Sequence, residues 1–159
     1  MATRAFLGPL AAEYPASNFP QLLTVNQRPV LGFDASTNET CYWTIVAPQG
    51  LTGTVTFIIT VFMASATTGD TDWDVAVEAV SSGDATDLDA TTSFDTVNST
   101  DNTTVPGTAG YMQQITVTLT NKDSVAAADY LRLSLTRDAV SDTATGDAYV
   151  AGCELRDAA

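Results

Sequence analysis

The sequence predicts an all-β domain: a two-sheet antiparallel sandwich, eight-stranded in the manner of a jelly roll, with an extended N-terminal arm. Three observations carry this. Apolar and polar residues alternate through most of the chain, most plainly in Ile115-Thr116-Val117-Thr118-Leu119-Thr120, and successive side chains on a strand point to opposite faces. The alternating runs are short and separated by turn-forming clusters of Gly, Pro, Asn and Asp. No stretch carries the 3.6-residue period of an amphipathic helix convincingly.

In chain order, residues 1–26 form the arm and residues 27–159 the sandwich. The arm is punctuated by Pro9, Pro15 and Pro20, with Phe6, Leu7, Tyr14, Phe19, Leu22 and Leu23 between them in neither period. Proline fixes φ and donates no hydrogen bond, so the segment runs extended rather than joining a central strand. Its apolar residues need cover, either against the chain's own sandwich or across a neighbouring subunit. Eight strand-like runs follow, at 27–34, 40–47, 53–65, 71–80, 92–100, 111–120, 129–138 and 147–157. Turn signals separate them: Pro48-Gln49-Gly50, Thr68-Gly69-Asp70, Pro106-Gly107, Asn121-Lys122-Asp123 and Thr145-Gly146-Asp147.

Parity assigns the faces. Leu131, Leu133 and Leu135 point inward with Arg132, Ser134 and Thr136 outward; Trp73, Val75 and Val77 point inward with the acids outward. A one-residue slip would bury charge, so the register is strongly specified. The run 53–65 breaks the rule: Val55, Phe57, Ile59, Val61 and Met63 share one face, yet Ile58 and Phe62 occupy the other. A strand apolar on both faces is covered on both, by the arm or by another subunit. The segment 81–91 is polar and acidic and is expected as a surface loop.

Composition bounds the function. Nineteen acidic residues against six basic ones give a net charge of −13, which repels phosphates and anionic lipid, so neither nucleic acid nor membrane is expected as a partner. No apolar run approaches the ~20 residues of a transmembrane helix. Residues 6–12 are too short and too interrupted for a signal peptide, so assembly in a reducing cytoplasm is expected. The absence of histidine excludes Ser-His-Asp and Cys-His arrangements and a histidine metal triad. Cys41 and Cys153 sit at inward positions and are expected as buried thiols, with a disulfide between them as the alternative. Asp70-x-Asp72-x-Asp74 resembles the opening of a calcium loop, but Val75 and Ser81 stand where glycine and glutamate are needed; a solvated acidic edge is expected. Asn38, Asn98 and Asn102 head chance N-glycosylation patterns. Trp43 and Trp73 fall inside, which removes the obvious stacking platform for sugar. No catalytic, cofactor-binding or metal-ligating residue is expected, and no enzyme activity.

Residues 18–22, 43–53, 128–138 and 145–150 resemble those of small structural proteins of tailed phages and prophages, a family of jelly-roll modules on virions. The resemblance implies a capsid decoration (cement) protein on the outer surface of a phage head, often trimeric, bound to the major capsid protein and to copies of itself, with no small-molecule substrate. The residues expected at such interfaces are Phe6, Leu7, Tyr14, Phe19 and Leu22 of the arm, Ile58 and Phe62, and the flanking cations Arg4 and Arg28. Two other roles stay open. One is a tail or head fibre module binding host-surface glycan through a pocket in loops 81–91 and 101–110. The other is a carbohydrate-binding module of a secreted enzyme.

Overall fold

A computed structural model describes residues 2–51 and 53–157. Met1, Thr52, Ala158 and Ala159, which fall at the limits of the expected segments and within the stretch 43–53, lie outside the described residues. Ten strands are formed among the described residues: β1 (Ala2–Leu7), β2 (Gln21–Val25), β3 (Arg28–Phe33), β4 (Glu39–Val46), β5 (Val55–Met63), β6 (Asp70–Val80), β7 (Asn98–Thr104), β8 (Gln113–Thr118), β9 (Tyr130–Arg137) and β10 (Ala148–Asp157). The first sheet has the order β2-β3-β10-β5-β8, with β1 also paired to β10; the second has the order β4-β9-β6-β7. All pairings between these strands are antiparallel. Strands β3 to β10 cover the eight sequence runs, and every link between them except β6–β7 crosses from one sheet to the other. That is the wrapped connectivity of a jelly roll.

The inner faces follow the alternation. Val55, Phe57, Ile59, Val61 and Met63 of β5 meet Trp73, Val75, Leu133 and Leu135 of the second sheet in one continuous core. Trp73 packs edge-on against Phe33 with centroids 5.2 Å apart and donates its indole N–H to Thr71 Oγ1 at 3.1 Å. Trp43 packs on Phe57 and donates to the Gly8 carbonyl at 3.0 Å. Both tryptophans thus bury their rings with the polar edge satisfied. Cys41 and Cys153 are free and buried, and burial pushes both thiols up.

Residues 2–26 lie against the chain's own sandwich. β1 runs along the second half of β10, and a short 3-10 turn follows at Pro9–Ala11. Glu13 exchanges backbone hydrogen bonds with Tyr42 at the edge of the second sheet, Asn18 accepts from Thr40 at 2.9 Å, and the chain then returns to the first sheet as β2 on β3. The prolines fall outside both strands of this segment, as their missing donors require.

Two local departures have physical causes. Strand β7 begins at Asn98, later than the run 92–100 suggests, because residues 93–95 are held on the outer face of the second sheet. Ser93 donates its N–H to Glu78 Oε1 at 2.6 Å, Asp95 donates to the Val77 carbonyl at 2.8 Å, and Phe94 stacks on Tyr42 at 5.8 Å. Arg137 has the parity of the inward leucines and is wholly buried. Its Nε meets Asp142 Oδ2 at 2.7 Å, and its remaining nitrogens donate to the carbonyls of Phe33, Gly146 and Ala144.

Candidate functional site

The two outer faces are finished differently. On the second sheet, Tyr42 stacks with Phe94, the Arg132 guanidinium lies 4.3 Å from the Tyr42 ring centre and 5.8 Å from that of Phe94, and Arg132 faces Glu13 at 3.7 Å. The chain's own 93–95 segment and N-terminal stretch therefore occupy that surface. The outer face of the first sheet carries a groove of about 400 Å³, within the range of small-ligand sites. Val25, Asn26 and Arg28 form one wall, Phe62 and Ala151 the floor, and Gly110 and Met112 the other wall.

The groove is built by the register of β10. Between Val150 and Gly152 the β10–β5 ladder slips by one residue, leaving Ala151 as the extra residue of a bulge, a device common beside binding sites. The bulge inverts parity along β10: Cys153 and Leu155 stay in the core, while Tyr149 turns outward next to Phe62, its cross-strand partner on β5. The two rings stand edge to face, with centroids 5.5 Å apart and planes at 74°. A third ring joins the strip. A Cβ on Gly152 would lie 2.8 Å from the Phe6 ring, so the missing side chain is what lets Phe6 lie across β10. Phe6 is 67% exposed there. Hydrogen-bonding side chains surround the rings: Thr60 and Gln114 are direct cross-strand partners beside the bulge, and Asn26 and Arg28 stand on the wall.

On the far side of Tyr149 lies a smaller recess of about 110 Å³ lined by Asp34, Glu39 and Asp147 with Gln21, Leu23 and Gly32. Glu39 accepts the Asp34 N–H at 2.8 Å. Burial holds the Glu39 carboxyl above its ordinary range, and the neighbouring Asp34 and Asp147 add to this. Asp34 is held low by the Ser36 hydroxyl and N–H it accepts. Among the described residues no group of three or more carboxylates or thiols is disposed to hold a metal ion. Asp70, Asp72 and Asp74 are each tied to β7 instead, through Thr104, the Asn102 N–H and Ser99.

The structure brings Phe62 and Arg28 into one groove, with Phe6 beyond the bulge. The other residues singled out from sequence lie elsewhere. Leu7 and Ile58 are buried within this chain, at 2% and 3% exposure; Ile58 sits between its cross-strand partners Glu154 and Thr116. Arg4 pairs with Asp157 at 2.7 Å. Tyr14 and Phe19 pack on each other at 5.4 Å, and Leu22 is half-exposed on edge strand β2. Sequence parity missed Tyr149, because strict alternation from inward Cys153 places it inside. It also missed Met112, which precedes the alternating part of β8.

No protein-family model matches this chain, and no curated protein matches it. Solved structures do. A carbohydrate-binding module specific for non-crystalline cellulose (CBM28) aligns over 93% of this chain and 89% of its own, with TM-score 0.51 and 9% identity. A carbohydrate-binding module of the β-sandwich superfamily with promiscuous specificity aligns over 92% of this chain and 57% of its own, with TM-score 0.51 and 9% identity. An arabinose-bound GH51 α-L-arabinofuranosidase aligns over 96% of this chain but 26% of its own, with TM-score 0.55 and 14% identity; the chain spans about a quarter of that enzyme. The chain is a β-sandwich of the kind found in carbohydrate-binding modules. These likenesses overturn the expected capsid decoration (cement) role, since the folds matched are those of carbohydrate-binding modules and a glycosidase. The physical reason is consistent: Leu7 and Ile58, expected to grip a shell, are buried within this chain, Leu7 in the core and Ile58 between its cross-strand neighbours. Identity this low establishes the fold, and any ligand has to be argued from this chain's own surface.

Proposed function

We propose that this chain is a non-catalytic glycan-binding module that takes a sugar chain on the outer face of its first sheet. The observation that carries this is the Phe62–Tyr149 ring pair on the outer face, with Phe62 on the floor of an open groove whose wall carries Asn26 and Arg28. A pyranose presents a face of C–H groups and an equator of hydroxyls. It therefore needs an apolar platform with a few placed polar groups around it, and Phe62, Tyr149, Thr60, Gln114 and Asn26 supply both. The sandwich modules with the same fold bind carbohydrate, which favours the same class of ligand here. The residues lining the groove include no carboxylate; Asp34, Glu39 and Asp147 line the separate recess beyond Tyr149.

The test is isothermal titration of a panel of neutral and acidic oligosaccharides against the native chain and against Phe62→Ala and Tyr149→Ala, with circular dichroism to verify folding. At least one oligosaccharide is expected to bind, and each substitution to weaken it about tenfold or more, equivalent to ~1.4 kcal/mol. Binding that survives both substitutions unchanged, or no binding across the panel, overturns the proposal.

A further inference from the structure

We propose that the sugar held in this groove carries a carboxylate, a uronate-containing oligosaccharide, and that Arg28 recognises it; this rests on the glycan-binding proposal above. Positive charge is scarce in this chain. The chain has six basic residues and a net charge of −13, and four of the six are committed to carboxylates: Arg4 to Asp157, Arg132 to Glu13, Arg137 to Asp142 and Arg156 to Glu154. Among the described residues only Arg28 and Lys122 have no carboxylate within 4.0 Å. Lys122 donates to the Gly53 carbonyl and is not in the groove wall. Arg28 is.

In so acidic a molecule an uncommitted guanidinium is conspicuous, because most others are neutralised by near neighbours. Its position is fixed by the hairpin that carries it. Asn26 and Gln27 both have positive φ, 44° and 66°, the signature of a tight two-residue β2–β3 turn, and Arg28 Nη1 donates to the Asn26 carbonyl at 3.1 Å. The remaining N–H groups of the planar fork are free to take a carboxylate in two parallel hydrogen bonds, which an ammonium cannot reproduce.

The opposite end of the face gives the ligand a direction. Gly32, in the wall of the acidic recess, pairs with Tyr149, and Tyr149 with Phe62 of the groove. A sugar stacked on these rings has Asp34, Glu39 and Asp147 to one side and Arg28 to the other. The recess repels a carboxylate and Arg28 attracts it, so a uronate settles with its charge on the Arg28 wall. The overall negative field weakens long-range capture of any anion, and salt relieves that penalty and screens the Arg28 contact together.

A galacturonate hexasaccharide and its fully methyl-esterified counterpart present the same ring faces and differ in charge. Titration of both into the native chain, Arg28→Gln and Phe62→Ala at fixed low salt tests the inference. The native chain is expected to bind the free acid at least about tenfold more tightly than the ester. Arg28→Gln should erase that preference, so that acid and ester bind alike, and Phe62→Ala should weaken both. Equal affinity for acid and ester in the native chain, or a preference that survives in Arg28→Gln, overturns the carboxylate inference alone. Binding to neutral oligosaccharides but to neither galacturonate does the same. Failure of every oligosaccharide, acidic or neutral, to bind overturns the glycan-binding proposal beneath it.

Discussion

Arg137→Met is the substitution that most sharply tests how this sandwich is closed at one end. The native guanidinium is fully buried with Asp142, whose side chain is 1% exposed, and it also satisfies the carbonyls of Phe33, Ala144 and Gly146. Methionine fills much of the volume but donates nothing. It leaves Asp142 as an unpaired buried acid, and removing one partner of a buried pair costs about 3–5 kcal/mol. Three carbonyls are left short of a donor as well, each worth about 1–3 kcal/mol when wholly unsatisfied. These terms overlap, so we expect a loss of about 4 kcal/mol or more, a large part of the ~5–15 kcal/mol that holds a domain together. At about 2–4 °C per kcal/mol for a chain of this size, the melting temperature should fall by about 10 °C or more. Urea unfolding followed by tryptophan fluorescence is the assay, since Trp73 rests on Phe33, whose carbonyl Arg137 holds. Adding Asp142→Leu should recover only part of the loss, because the carbonyls stay unsatisfied. A cost below about 1 kcal/mol for Arg137→Met alone refutes the claim that this residue anchors the 138–147 connection.

Two further predictions concern titratable groups whose ionised forms burial disfavours. Cys41 and Cys153 are buried with their thiols pushed up, so the native chain should not react with a thiol reagent at pH 8, and both groups should react after denaturation; rapid native labelling contradicts the burial. Glu39 titrates above its ordinary value of 4.5, through burial first and then the neighbouring Asp34 and Asp147, so its ionised form opposes folding, and that opposition fades as pH falls through the raised folded value. Glu39→Gln keeps an acceptor for the Asp34 N–H and should therefore melt higher than the native chain at pH 7, with the gain vanishing at pH below 4.5; a lower melting point at pH 7 contradicts this.

Alternation placed the eight runs of the jelly roll, and it put both tryptophans and both cysteines inside, because period two survives wherever a strand has one buried face. It failed at three places for three reasons. In β7 the sequence Asn-Ser-Thr-Asp-Asn-Thr-Thr is polar on both sides, so the strand left no apolar signal. At Arg137 the inward parity was visible, but the partners that make a buried charge tolerable come from a connecting loop and from β3. At Tyr149 the bulge one turn of pleat away reversed the parity, and a bulge is set by pairing that no local pattern records. The candidate site was therefore half legible. Phe62 stood out as the residue that broke alternation on β5, and Arg28 as one of few cations. Ala151 and Met112, which complete the groove, and Tyr149, which packs on Phe62 beside it, came only from the three-dimensional register.

The N-terminal segment explains why one outer face is left open and not the other. It leaves β1 on the first sheet, reaches the edge of the second at Glu13 and Tyr42, and returns as β2. In doing so it places Glu13 against Arg132, helping Phe94 and Tyr42 to finish the second sheet's surface. On the first sheet the same segment does the opposite. β1 pairs edge to edge with residues 153–157 of β10 and sets Phe6 beside Gly152, while the β2–β3 hairpin ends at Arg28 on the rim of the groove. Between the two contacts, Ala151 and Phe62 stay partly exposed on the floor of the groove. An apolar floor lying between the β2–β3 hairpin on one side and Gly110 and Met112 on the other is a geometry that favours a ligand over a lid. That is why the aromatic strip on the first sheet, rather than the stacked Tyr42–Arg132–Phe94 cluster on the second, is where binding should be sought.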